Sequence, residues 1–174
     1  MSSTFFIPFN KPYATENEQN YVYSALRSGK LSGNNEFARK VQKYIKDRHN
    51  LESVFLVPSG TAALEMGAWL SGLKPGDEVI LPSYTFSSTA NAVLLTGAKP
   101  IFCEIDPLTL NVNIKHIESL ITDRTKMLLP IDYAGIPCEI ESLINLATKN
   151  NLLLMIDAAP VSYTHLTLPT IYSV

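Results

Sequence analysis

The sequence of 174 residues is long enough for one domain, and its hydrophobic fraction of 46% is enough to build a buried core. Its net charge is −2 and its lysines and arginines are scattered, which argues against nucleic acid as the main partner. No apolar run reaches the roughly 18 residues of a membrane helix, and residues 1–10 lack the pattern of a signal peptide. We therefore expect a cytoplasmic protein without a membrane partner.

The first fifty residues predict two helices joined by a loop. One helix is expected over residues 15–28, followed by a glycine-bracketed loop over residues 28–33. Asn34 or Asn35 can cap the second helix, because Phe37 and later apolar residues follow it at helical spacing.

Strands and helices alternate in the rest of the chain. This alternation predicts an α/β fold with βαβ units and a mostly parallel sheet. Trp69 lies in the helix predicted at residues 61–71 and is expected to be part of the hydrophobic core. Strands are predicted at residues 54–57, 78–81, 100–104, 126–129 and 152–156, and helices at residues 61–71, 85–96, 114–121 and 141–149.

Neither the cysteines nor the histidines predict a metal site. Cys103 and Cys138 are far apart and match no metal or redox spacing, and Cys103 lies in a strand-like run that favours a small buried side chain. His49, His116 and His165 form no cluster along the sequence.

Asp157 ends the apolar run that predicts the last strand. The carboxyl end of such a strand faces the crevice in which open α/β sheets bind ligands. A carboxylate there can face a pyridine nitrogen and keep it protonated, which makes the ring an electron sink. The alternative is that Asp157 caps a following helix.

The loop before the predicted helix at residues 61–71 suits an anion. Gly60 lets the backbone approach a ligand closely, and the amides of Thr61 and Ala62 open the helix at its positive end. The alternative is an ordinary helix cap with Ser59 or Thr61 as the capping residue.

Phe86 follows the second predicted strand, in a loop dense in serine and threonine. An aromatic ring there can stack on a planar cofactor, although Phe86 can also be a core residue at a helix start. A phosphate cradle, a stacking ring and an acid at three strand ends suit pyridoxal phosphate. A dinucleotide suits them less, because no Gly-x-Gly-x-x-Gly follows the first predicted strand.

With these motifs the chain resembles the sugar aminotransferases of the DegT/DnrJ/EryC1/StrS group, in the fold-type I superfamily of pyridoxal phosphate enzymes. The resemblance implies an α/β large domain of that type, in which Thr61 and Ala62 bind the cofactor phosphate, Phe86 covers the ring and Asp157 pairs with the ring nitrogen. The matching segments, in the order of the family, are residues 7–10, 28–33, 58–66, 75–86, 88–91, 97–99, 133–135 and 156–159.

The resemblance also implies a reaction and its partners. The family members most similar to this chain aminate a nucleotide-linked 4-keto-6-deoxy sugar with glutamate as donor, as homodimers, in surface polysaccharide synthesis. Related alternatives are a pyridoxal phosphate sugar dehydratase, which has histidine in place of the reactive lysine, and a non-catalytic binding or regulatory protein of the same fold.

Three departures from the family pattern stand out. Asp132 occupies a position where members often have histidine, and Pro160 one where they have glutamine or histidine. The family's Ser-Phe-His-x-Thr-Lys motif, whose lysine forms the Schiff base with the cofactor, is absent from this chain. We therefore assign no catalytic residue and predict that the chain as written is inactive.

The last residues give a reason for that absence. Residues 161–170 are what one reading frame of a transposase-type sequencing adapter encodes. Our hypothesis is that residues 1–159 form the N-terminal part of the large domain and that residues 160–174 are a non-native tail. Cloning the locus from source DNA tests this, since a native sequence that reproduces the tail would contradict it.

Overall fold

The structure of the chain, a computed structural model, describes residues 15–159. The segment at residues 7–10, Pro160 and the predicted tail at residues 160–174 lie outside the described residues, so the predicted domain boundary stays a prediction. The chain divides into two compact units, and the division falls between Tyr44 and Ile45.

The first unit contains the two predicted helices, α1 (Glu16–Ser28) and the larger part of α2 (Glu36–His49). Thr15 caps α1, and Gly29 ends it in the left-handed conformation with φ +66°. The side-chain oxygen of Asn35 accepts a hydrogen bond of 3.3 Å from the amide of Phe37, so Asn35 opens α2. Both helix predictions are confirmed.

The second unit is a four-stranded parallel sheet with the strand order β2-β1-β3-β4. Helices connect the strands, as the alternating pattern predicts, and the α/β fold class is confirmed. The strands are β1 (Glu78–Pro82), β2 (Lys99–Cys103), β3 (Thr125–Leu128) and β4 (Leu153–Leu154), and the helices are α3 (Gly60–Leu70), α4 (Ser87–Leu95), α5 (Ile114–Leu120) and α6 (Ile140–Asn150).

Backbone pairing continues beyond the short strand β4. The amide of Met155 donates to the Leu128 carbonyl at 3.0 Å, and the amide of Asp157 donates to the Pro130 carbonyl at 3.0 Å. The Asp157 carbonyl accepts in turn from the amide of Asp132 at 3.0 Å. The strand predicted at residues 152–156 is therefore present and carries Asp157 at its carboxyl end.

The strand predicted at residues 54–57 is wrong. This segment has no strand pairing within residues 15–159, and Phe55 and Leu56 are exposed by 67% and 44%. A β-branched and aromatic run becomes a strand only when a neighbouring strand accepts its hydrogen bonds, and no described strand does so.

Side chains of β1 alternate between two cores on the two faces of the sheet. Val79 and Leu81 pack under α3 and α4, whereas Ile80 packs under α5 and α6. Trp69 is 68% exposed, so the expectation that it lies in the core is wrong. It lies on the solvent side of α3, where helical periodicity points away from Leu64 and Ala68.

Glu78 is a buried acid at the amino end of β1, and it predicts a pH-dependent contribution to stability. Its carboxylate accepts hydrogen bonds from the Thr122 hydroxyl at 2.7 Å and from Arg124 Nε at 3.0 Å. The Thr122 hydrogen bond, with the smaller contribution of Arg124, lowers the pKa of Glu78 below its ordinary value of 4.5. The stabilisation is therefore complete above pH 4.5 and is lost as the pH falls through the lowered pKa.

Urea unfolding of the wild type and of Glu78→Gln across this pH range measures that contribution. We expect the wild type to be more stable than Glu78→Gln at neutral pH and the difference to shrink in acid. Glu52→Gln, which removes an exposed carboxylate with no hydrogen-bond or ion-pair partner among residues 15–159, is the matched control. A difference that stays constant with pH would contradict the assignment.

Both cysteines are buried, and we expect them to be unreactive in the folded chain. Cys103 and Cys138 are 3% and 6% exposed, which confirms Cys103 as a small buried side chain. Burial raises the pKa of Cys103 to about 12, and burial together with the Asp132 carboxylate raises that of Cys138. Labelling with iodoacetamide, followed by mass spectrometry, should modify neither thiol without denaturant and both in urea. Rapid labelling of the native chain would overturn this.

Candidate cofactor site

The candidate site lies at the carboxyl edge of the sheet. Neighbouring parallel strands β1, β3 and β4 all end at this edge, so the loops that follow them meet there. Asp157, the acid predicted at the end of the last strand, is joined to the loop after β3 by an isolated parallel bridge to Ile131.

Both carboxylate oxygens of Asp157 are hydrogen-bonded. The amide of Ala159 donates to Oδ1 at 3.2 Å, and the Thr89 hydroxyl donates to Oδ2 at 3.1 Å. Asp157 is 9% exposed and Thr89 is completely buried. The amide of Ala159 gives Asp157 the local contact of a capping residue, but the bond to Thr89, from the helix after β1, fixes it within the fold.

A second hydroxyl extends this contact. Thr85 Oγ1 lies 2.8 Å from Thr89 Oγ1. Because a carboxylate only accepts hydrogen bonds, Thr89 gives its proton to Asp157 and its oxygen accepts from Thr85. The chain of donors therefore runs from Thr85 through Thr89 to Asp157.

Asp157 has no basic partner among the described residues. Ion pairs within residues 15–159 include Lys40 with Glu36, Arg124 with Glu78 and Lys149 with Glu118, whereas no lysine, arginine or histidine in that range contacts the Asp157 carboxylate. A buried carboxylate is costly without a compensating positive charge. The arrangement therefore fits a ligand that presents a protonated nitrogen to Asp157.

Gly60 lies beside the end of the same strand. A methyl group at Gly60 would come within 3.9 Å of the Ala159 Cβ atom, so the start of α3 lies close to the segment that follows Asp157. Ser59 Oγ accepts from the amide of Ala62 at 3.1 Å, as in the ordinary helix cap considered as the alternative. The amides of Gly60 and Thr61 have no partner within residues 15–159, and they leave two donors of the first turn for an anion.

Phe86 is the residue before α4 and is 75% exposed. It is therefore not a core residue, which removes the alternative considered for it. It follows Thr85 directly, and so it stays at the carboxyl edge beside the hydrogen-bonded threonines. Its role as a stacking ring stays a prediction.

Tyr84 and Tyr133 contact each other across this edge, with ring centroids 4.6 Å apart and planes inclined by 42°. Both tyrosines lie in segments that resemble the family, at residues 75–86 and 133–135, but the sequence alone does not show that they contact each other. An aromatic residue after each of two strands is a weak signal, because the strand order that makes β1 and β3 neighbours is not visible in the sequence. Asp132, which precedes Tyr133, is 5% exposed and accepts from the amide of Cys138 at 2.9 Å, so its carboxylate shapes the loop.

Other features of the described chain lie outside this site. A cavity of about 340 Å³ between Ile121 and Leu152 is at the amino ends of β3 and β4, opposite Asp157. Within residues 15–159 no three acidic, histidine or cysteine side chains are grouped so as to hold a metal. None of the helices in that range is both long and apolar enough to cross a membrane.

Comparison with known proteins places these features in a family context. The sequence profile of the DegT/DnrJ/EryC1/StrS aminotransferase family matches residues 12–167. The chain is 35% identical to the spore coat polysaccharide biosynthesis protein SpsC of Bacillus subtilis over 91% of its own length and 41% of that protein's. It is 32% identical to the GDP-perosamine synthase of Escherichia coli O157:H7, over 88% of this chain and 42% of the synthase.

A solved structure gives the same result for the fold. The structure of NtdA from Bacillus subtilis, which has the cofactor PMP bound, superposes with a TM-score of 0.81 and 30% sequence identity. That match covers 90% of this chain and 36% of NtdA. The chain thus spans about two-fifths of the length of the curated relatives that it matches.

Proposed function

Because the chain belongs to the DegT/DnrJ/EryC1/StrS aminotransferase family, we propose that the whole protein transfers an amino group from glutamate to a nucleotide-linked 4-keto-6-deoxy sugar, with pyridoxal phosphate as cofactor. GDP-perosamine synthase and a spore coat polysaccharide protein among the relatives support a sugar nucleotide as acceptor. The product would serve the synthesis of surface polysaccharide.

One observation carries the cofactor assignment. Asp157 is a buried carboxylate at the carboxyl edge that accepts two hydrogen bonds and has no basic partner within residues 15–159. A protonated pyridine nitrogen supplies the positive charge that this carboxylate lacks.

The other predicted residues would hold the rest of the cofactor. The amides of Gly60 and Thr61 would bind the phosphate, and Ala62 would join them if its amide exchanged the Ser59 hydroxyl for a phosphate oxygen. Phe86 would cover one face of the ring. When bound, pyridoxal phosphate supplies an electron sink through which an amino group passes from one substrate to the other.

Assay of the whole protein with pyridoxal phosphate, glutamate and a nucleoside-diphosphate 4-keto-6-deoxyhexose tests the proposal. We expect 2-oxoglutarate and the amino sugar nucleotide to form in equal amounts. Release of neither product over a panel of nucleotide-linked keto sugars, from a protein that binds the cofactor, would contradict it.

The same assay separates the two alternatives named from the sequence. A sugar dehydratase would release a deoxygenated keto sugar nucleotide, with glutamate as the reductant: glutamate would become 2-oxoglutarate, its nitrogen would leave as ammonia, and no amino sugar would form. A binding or regulatory protein would bind pyridoxal phosphate or the sugar nucleotide and turn over neither.

We further propose that the whole protein is a cytoplasmic homodimer, since cytoplasm is where nucleotide-linked sugars are made. Large apolar side chains are exposed on α3 and α4, which is the surface character expected of a chain that associates. They are Trp69, Leu70, Leu94 and Leu95. Light scattering of the whole protein checks the subunit number.

A further inference from the structure

Asn111 joins two loops at the carboxyl edge of the sheet. It is 7% exposed, and its side chain makes three hydrogen bonds. Oδ1 accepts from the amide of Tyr133 at 3.1 Å, and Nδ2 donates to the carbonyls of Ile136 and Pro137 at 2.9 and 3.0 Å. One buried amide therefore fixes both ends of the turn at Tyr133–Gly135.

Each of the two loops contains a non-glycine residue in the left-handed conformation. Leu110, directly before Asn111, has φ +63°, and Ala134, directly after Tyr133, has φ +50°. Such residues persist only where the surroundings fix the backbone, and they cluster at functional sites. Asp106 fixes the first loop by accepting from the amides of Leu108 and Thr109 at 2.8 and 3.0 Å.

The turn that Asn111 holds presents the Tyr133 ring to Tyr84, 4.6 Å away between centroids. Interaction with the side chain of Tyr84 raises the pKa of Tyr133 above its ordinary value. Tyr84 is 44% exposed, so part of its side chain is accessible to a ligand.

The tyrosine pair lies close to the candidate cofactor site. The residue before Tyr133 donates its amide to the Asp157 carbonyl at 3.0 Å, and Tyr84 immediately precedes Thr85, which begins the donor chain to Asp157. A sugar presents hydroxyl groups that both donate and accept, and the hydroxyls of two neighbouring phenols match that chemistry.

We propose that Asn111 is a positioning residue: it holds Tyr133 against Tyr84, so that the two phenols form a wall of the sugar-binding part of the site. The ligand class rests on the proposed function, because a hydroxyl-rich substrate is what the phenols would contact. The positioning itself is a property of the folded chain and can be measured without ligand.

Nuclear magnetic resonance of the full chain with labelled tyrosines tests the positioning. We expect cross-relaxation between the rings of Tyr84 and Tyr133 in the wild type and its loss in Asn111→Ala. Asn113→Ala is the matched control, since Asn113 caps α5 by accepting from the amide of His116 at 3.1 Å and should leave the ring contact intact. A ring contact that survives in Asn111→Ala overturns the proposal.

Kinetics of the whole protein test the role in binding. Asn111→Ala and Tyr84→Phe should each raise KM for the nucleoside-diphosphate 4-keto-6-deoxyhexose about tenfold while kcat changes less than about threefold, because a substrate contact is lost and the reacting groups stay in place. Asn113→Ala should leave both constants unchanged. An unchanged KM in Asn111→Ala overturns the binding role.

A replacement variant and the ligand-free measurement keep the test of positioning by Asn111 separate from the test of the proposed function. If Asn111→Ala does not fold, Asn111→Asp replaces it, because aspartate keeps the size and loses both Nδ2 donors, and the same loss of ring contact is expected. If the wild type transaminates no keto sugar, the proposed function fails, whereas the ring contact still decides the positioning by Asn111.

Discussion

Asparagine in place of Asp157 is expected to weaken binding of pyridoxal phosphate by about 10- to 100-fold, which corresponds to one hydrogen bond to a charged group. Asparagine keeps the shape of the side chain and its contact with the Thr89 hydroxyl. It removes the negative charge that a protonated ring nitrogen needs, in a position with no other described acid in direct contact. Titration of the purified protein with pyridoxal phosphate, followed by cofactor fluorescence, gives the two dissociation constants.

Two further variants sharpen that comparison. Asp123→Asn removes an acid from the opposite edge of the sheet, where it lines the cavity at the amino ends of β3 and β4, and should leave cofactor affinity unchanged. Thr89→Val keeps the volume of a completely buried residue and removes the donor to Asp157, so it should weaken binding by less than Asp157→Asn does. Equal affinity in Asp157→Asn and the wild type would refute the assignment.

Alanine at Gly97 is expected to destabilise the fold by about 2–4 kcal/mol, through left-handed strain and overpacking together. Gly97 has φ +81°, and a Cβ atom there would lie 2.7 Å from Cγ and 3.2 Å from Cδ of the Pro75 ring. The ring is rigid, so it cannot turn aside as a flexible side chain would. Urea unfolding of the wild type and variant gives the change in free energy.

Gly76 provides a matched control for this substitution, since it has φ +97° and open space where a Cβ atom would be. Gly76→Ala should show the backbone strain alone, at about 1–2 kcal/mol. The difference between the two variants then isolates the contact with Pro75. Equal destabilisation would show that the Pro75 loop moves away without cost.

The alternating pattern of this chain was enough to predict the α/β fold and nearly all of its described elements. Apolar runs of four or five residues between amphipathic helices have few other solutions, and the predicted strands at residues 78–81, 100–104 and 126–129 match the observed ones within one residue at either end. The run at residues 54–57 has the same composition but no described partner. Strand formation depends on a neighbour, and the sequence of one segment does not contain that neighbour.

The sequence predicts those residues of the candidate site whose type is unusual for their position in a strand or helix. An acid at the end of a buried strand and a glycine before a helix stand out locally, as Asp157 and Gly60 do. Thr89 is one of several serine and threonine residues after the second predicted strand, and no local signal distinguishes it, because its contact with Asp157 spans 68 residues of chain. Asn111 gave no signal, since its partners at Tyr133, Ile136 and Pro137 become neighbours only when the loops fold together.

The helices α1 and α2 contain no buried residue, whereas β1 is buried along its whole length. Their amide protons should therefore exchange with solvent through local fraying, at much lower free energy than those of the sheet. An unfolding curve followed by the circular dichroism signal of the helices would therefore combine two processes. One is the fraying of α1 and α2, and the other is the cooperative unfolding of the sheet with the helices that pack on it. Cys103 and Cys138 lie in the core under α5 and α6, so trapping of their thiols during denaturation reports on that core alone.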